Sequence, residues 1–100
     1  MVQKVFVHCD IPEVEKKKLR QFFSIKVHNA NENILTNKEL IKQASGYDAL
    51  IMQGNDLEKP YIEKNKDTLK VISNIAVGYD NIDLKTATKY KIPVFNTPNV

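Results

Sequence analysis

Apolar positions along the chain alternate between two rhythms, a period of two and a period near 3.6. Val5-Phe6-Val7 is a short β-branched and aromatic run and predicts a first strand. Ile11, Val14, Leu19, Phe22 and Phe23 then recur at roughly helical spacing, separated by Glu13, Glu15, Lys16, Lys17, Lys18 and Arg20. That pattern predicts an amphipathic surface helix, with Asp10 and Pro12 as start signals. Ser24-Ile25-Lys26-Val27-His28 alternates and predicts a second strand near a sheet edge. Thr36 and Glu39 have the spacing of a capping box, and Leu35 and Leu40 the spacing of a hydrophobic staple. The helix behind that cap is expected to bury Leu40, Ile41 and Ala44 and to stop at Gly46. Tyr47 to Met52 predicts a third strand, followed by a loop over 53–56. Lys59 to Lys66 reads as a short helix with Pro60 near its start. A fourth strand begins at Leu69 and runs into a glycine-containing turn, and a helix follows from Asp83 as N-cap with Leu84 and Ala87 inward. Ile92-Pro93-Val94-Phe95 predicts a fifth strand.

Strands alternating with helices in this way predict an α/β fold with a parallel sheet covered on both faces. Right-handed crossovers and five short strands favour a flavodoxin-like order, 2-1-3-4-5. Residues 1–95 are expected to form one domain, with 96–100 as an extended tail. No helix follows the fifth strand and the tail ends in the apolar Val100, so a piece of a longer protein is expected.

Charge narrows the partners. The net charge is +3, but the lysines are spread along helical faces and form no block interleaved with aromatics, so nucleic acid is not an expected partner. No stretch approaches the ~20 apolar residues of a membrane span, so no membrane partner is expected either. Cys9 is the only cysteine, which fits a reducing compartment, and the N-terminal apolar run is too short for a secretory leader. A cytoplasmic location is therefore expected.

Candidate chemistry concentrates after the third and fourth strands. The three glycines are Gly46, Gly54 and Gly78, and only the last two follow strands on what would be one edge of the sheet. Gly54 either relieves a tight turn or admits a ligand. Gly78 favours close approach of a ligand, because its turn leads into a helix whose first amides are expected to be free. There is no G-x-G-x-x-G and no phosphate-binding loop. His8 and His28 end strands and are weak general-base candidates without a partner in the sequence. Cys9 is most simply a plain thiol, and His8, Cys9 and Asp10 are consecutive and cannot converge on one metal from a strand. Arg20 lies on the lysine-rich helical face, so it is not expected to clamp a carboxylate at Gly78. Asp80 is read as a local brace of the turn and Asp83 as a cap. No catalytic residue is assigned within these 100 residues.

The run Leu69-Lys70-Val71-Ile72-Ser73-Asn74-Ile75-Ala76-Val77-Gly78-Tyr79-Asp80-Asn81-Ile82-Asp83, then Ala87-Thr88 and Ile92-Pro93-Val94-Phe95-Asn96-Thr97-Pro98, resembles the NAD-dependent D-isomer-specific 2-hydroxyacid dehydrogenases. These include glyoxylate/hydroxypyruvate reductases and phosphoglycerate dehydrogenases. The resemblance is dense over about 30 residues, and the order of elements agrees throughout. It implies a substrate-binding domain with a separate nucleotide domain inserted after a segment like Asn96-Thr97-Pro98, so that 96–100 would begin a hinge. It implies that amides matching Ala76, Val77 and Gly78 hold the carboxylate of a 2-keto or 2-hydroxy acid. Gln53, Gly54 and Asn55 would line the same pocket. NAD or NADP would be the cofactor of the full-length protein, a homodimer, with none bound by this chain alone. The catalytic Arg, Glu and His would lie beyond Val100. Family members commonly carry glycine where this chain has Ala76, which weakens the assignment of that residue.

Two competing readings share the layout. A signalling receiver domain needs an acidic pair after the first strand, a phosphorylatable Asp after the third and a Lys after the fifth; here Asp10 stands nearly alone, and those strands end at Met52-Gln53 and Phe95-Asn96. A flavin-binding module needs a hydroxyl-rich phosphate loop, which His8-Cys9-Asp10-Ile11-Pro12 is not.

Overall fold

Period-two alternation gives each strand two different faces, and these faces decide how the elements assemble. The computed structural model describes residues 3–29, 33–53, 56–75 and 81–96. Its strands are β1 (Gln3–His8), β2 (Phe23–His28), β3 (Ala49–Met52), β4 (Val71–Asn74) and β5 (Val94–Asn96). They form one parallel sheet in the order β2-β1-β3-β4-β5, as the alternation predicts. The helices are α1 (Glu13–Arg20), α2 (Asn37–Gln43), α3 (Lys59–Lys64) and α4 (Leu84–Lys89). Among the described residues no helix is long and apolar enough to cross a membrane.

Phe6, Leu50, Met52 and Ile72 point to one face, where they meet Leu40 of α2 and Ala44 just after it, Tyr61 and Ile62 of α3, and Ala87 of α4. Val5, Val7, Ala49 and Ile51 point to the other, where α1 supplies Leu19. The helices thus lie on both faces but unevenly. Beyond α1 the second face holds a groove of about 270 Å³ lined by Leu19, Phe23, Ala49, Ile51 and Val71 among others.

The α2 boundary follows the sequence closely. Glu39 N donates to Thr36 Oγ1 at 3.2 Å, and the Glu39 carboxylate accepts from Thr36 N at 3.0 Å, completing the capping box. Leu35 and Leu40 are both buried in the main core, as a staple requires. Gly46 follows with φ +84°, the left-handed conformation that glycine adopts without penalty. Thr36→Ala should therefore lower stability by about 1 kcal/mol, the usual worth of such a cap, and a melting curve checks it.

Three expectations are corrected. α1 ends at Arg20, and Phe23 opens β2 instead of closing the helix. The chain tightens there, with Gln21 N donating to Lys18 O and Phe22 N to Leu19 O, three residues back. α1 buries no residue fully, and Val14 and Phe22 are 61% and 72% exposed, because the helix covers only the β1–β2 edge of the sheet. Leu84 is exposed, whereas Thr86 and Ala87 are buried, because α4 has only six residues and turns Thr86 inward toward its own cap.

Candidate functional site

β3 and β4 are parallel neighbours, so the loops that follow them leave the same carboxyl edge of the sheet. The described flanks of the two loops are tied together on both sides. Gln53 N donates to His8 O and Ile75 N to Met52 O, each at 2.9 Å. Past the loops, Leu57 N donates to Asn81 O at 2.7 Å and Asp83 N to Leu57 O at 2.9 Å, forming an isolated bridge between Leu57 and Ile82. The segments carrying Gly54 and Asn55, and Ala76, Val77 and Gly78, therefore spring from one joined base. Those five residues and Asp80 lie outside the described residues.

Sequence reasoning missed a cluster of amides at this edge. Asn74 is fully buried at the end of β4. Its Nδ2 donates to Asn81 Oδ1 at 3.2 Å and to Asn96 Oδ1 at 3.3 Å, and Asn81 Nδ2 returns a bond to Asn74 Oδ1 at 3.1 Å. A buried amide costs stability unless it is paired, and here the pairing closes across β4, β5 and Asn81. The available signal was an Asn interrupting Val71-Ile72-Ser73-Asn74-Ile75 at the alternation position of Ile72, which faces the core.

Beside the bridge lies an open groove of about 540 Å³ lined by Asp56, Leu57, Glu58, Lys59, Asn81 and Asp83 among others. Its carboxylates make it a poor receptor for an anion. Asp83 is already engaged: Thr86 Oγ1 donates to one oxygen at 2.8 Å and Thr86 N to the other at 3.1 Å. These bonds, the hydroxyl first, hold the Asp83 carboxyl below the usual carboxylate range. Leu84 N meanwhile donates to Ile82 O. The α4 N-terminus is thus capped from within, which corrects the expectation that its first amides are free.

His8 is buried, and its Nε2 accepts the Leu35 N–H at 3.1 Å. The ring stacks on His28 with centroids 5.3 Å apart, and His28 Nε2 lies 2.9 Å from Asn33 O. Burial, more than any other cause, pushes the His8 pKa below its ordinary value; the nearby His28 adds to the shift, and backbone groups of His8 and Gln53 oppose it. His8 is therefore a structural anchor for the β2–α2 connection. The unfolded chain takes up the His8 proton more readily than the folded one, so stability is full above pH about 6.5 and falls as pH drops below it. Urea unfolding at pH 7.5 and 5.5 should show this loss, and His8→Gln should flatten the pH dependence in that interval.

Cys9 is buried and free, and burial first, then Asp10, pushes its thiol up, the opposite of an activated nucleophile. Arg20 ends a helix that starts at the carboxyl edge and crosses to the amino edge, so it stands away from the paired loops. Among the described residues no group of three or more His, Cys, Asp or Glu side chains is placed to hold a metal ion.

The D-isomer specific 2-hydroxyacid dehydrogenase catalytic-domain model matches residues 5–100. The glyoxylate reductase of Pyrococcus horikoshii is 38% identical over all 100 residues, and that of Thermococcus litoralis 36%. The crystal structure of a Polaromonas protein named for the NAD-binding D-isomer specific 2-hydroxyacid dehydrogenases superposes with a TM-score of 0.88 at 30% identity, covering 99% of this chain. The chain spans 30% of the length of those two reductases and 31% of the Polaromonas protein. A single parallel sheet in the predicted order and a family match across nearly its whole length place this chain in the D-isomer specific 2-hydroxyacid dehydrogenase family, in its catalytic domain.

Proposed function

We propose that residues 1–95 are the first part of the substrate-binding domain of an NAD(P)-dependent oxidoreductase acting on a small 2-keto or D-2-hydroxy acid, and that 96–100 begin a hinge. The family match over residues 5–100 carries this reading, and the joined base of the two loops supports it. In the full-length enzyme a hydride passes between the nicotinamide and the keto carbon. This chain contributes the wall that holds the acid. Backbone N–H groups of Val77 and Gly78 donate to the substrate carboxylate, with Ala76 beside them and Gly54 and Asn55 lining the pocket. Amides serve this role without a charged side chain because several aligned N–H dipoles stabilise a carboxylate.

The residues present do not fit a dinucleotide: the three glycines at 46, 54 and 78 form no fingerprint, so the nicotinamide must be held by other residues of the protein. The base and the cationic clamp are likewise assigned beyond Val100, in a dimeric cytoplasmic enzyme. Neither the receiver nor the flavin reading draws support from the family match.

The test is reduction of glyoxylate and hydroxypyruvate with NADH and NADPH. The full-length protein should turn over at least one acid, and the isolated 100 residues none. Turnover by the isolated chain, or none by the full-length protein with any 2-keto acid, would contradict the reading.

A further inference from the structure

Ile75 and Asn81 are the described residues that flank positions 76–80, and the side chains of Asn74 and Asn81 meet. The Asn74 side chain exchanges two hydrogen bonds with that of Asn81, at 3.1 and 3.2 Å, so one amide pair links the end of β4 to Asn81. The second Nδ2 hydrogen goes to Asn96, the last residue of β5, which stands opposite Asn74 in the ladder. Asn81 in turn accepts the Leu57 N–H through its backbone carbonyl, next to the loop that carries Gly54 and Asn55. Asn74 thus joins the end of β4, Asn81 and the end of β5, with Leu57 attached through Asn81.

We propose that Asn74 is a positioning residue: with Asn81 and Asn96 it holds together the described flanks, Ile75 and Asn81, of the segment to which the reading above assigns the substrate carboxylate. This rests on the reading of that turn given above. A buried, fully paired amide is rigid in a way a methyl group is not, because each bond has a preferred direction. A small rotation of the donors weakens their bonds to the acid while leaving the reacting groups elsewhere untouched. Loss of the clasp should therefore appear in KM and spare kcat.

The decisive variants are Asn74→Asp, which keeps the shape but replaces the donor by an acceptor, and Asn81→Ala at the half-buried end of the pair, which settles the matter should Asn74→Asp fail to fold. In the full-length enzyme Asn81→Ala should raise KM for glyoxylate about 10-fold, the worth of a lost charge-assisted hydrogen bond, with kcat nearly unchanged. Thr36→Ala, destabilised at a remote cap, should move neither constant. In the 100-residue chain, Asn81→Ala should speed amide hydrogen exchange between Ile75 and Ile82 and leave Leu50 and Ile72 protected. Unchanged exchange, or an unchanged KM, would overturn the clasp alone. A parent enzyme inactive on every 2-keto acid would overturn the functional reading instead.

Discussion

Val77→Pro should lower kcat/KM of the full-length enzyme for glyoxylate by about 10- to 100-fold, because it removes a single backbone N–H. A hydrogen bond to a charged acceptor contributes about 1.5–3 kcal/mol, and each ~1.4 kcal/mol is a factor of ten in rate. The loss should fall largely on KM, because the carboxylate is not the reacting group and the bond is made equally to substrate and transition state. A melting temperature close to the parent's establishes that the fold survives. Steady-state kinetics showing less than a twofold change would remove Val77 from the site.

Phe6→Ala should have the largest effect on stability. Phe6 is fully buried in β1, between β2 and β3, and meets Tyr47 edge-to-face at 5.5 Å. Truncating a buried Phe costs about 3–5 kcal/mol, a large part of the ~5–15 kcal/mol that holds a domain together. At roughly 4–8 °C per kcal/mol for a chain of this size, thermal melting should fall by at least about 12 °C. Phe22→Ala, at a ring 72% exposed, should change stability by less than about 0.5 kcal/mol. A comparable drop in both variants would mean that the Phe22 ring is packed in solution, against its 72% exposure in the turn before β2.

Where a structural feature is encoded by neighbouring residues, it was legible in the sequence. The Thr36–Glu39 cap, its Leu35–Leu40 staple and the Gly46 stop lie within one short segment, and all three appear in the structure. Strand order followed from the alternation of elements, since right-handed crossovers leave few ways to lay parallel strands side by side. The end of α1 was not legible. Helical spacing at Phe22 and Phe23 cannot be told from the lead-in to an edge strand until the sheet exists. Likewise Leu84, expected inward, is exposed while Thr86 is buried, because a hydrogen-bonded cap outweighs apolar spacing on a helix of six residues.

The candidate site divides in the same way. The two loops could be placed on one edge from the strands alone. The amide cluster could not, because Asn74 finds its partners seven and 22 residues away, one beyond the turn and one on the next strand. The His8–His28 stack depends on the β1–β2 register, which pairs those two residues directly. Sequence spacing could nominate both histidines for catalysis, but only their surroundings show that His8 is occupied by the Leu35 N–H.

Backbone amides of this chain are proposed to hold the acid. A crystal structure of the full-length enzyme with oxamate, a stable analogue of glyoxylate, and its nicotinamide cofactor tests it most directly. The oxamate carboxylate should lie within hydrogen-bonding reach of the Val77 and Gly78 nitrogens, beside the loop carrying Gly54 and Asn55. A carboxylate held elsewhere, with those two amides turned to other partners, would contradict it.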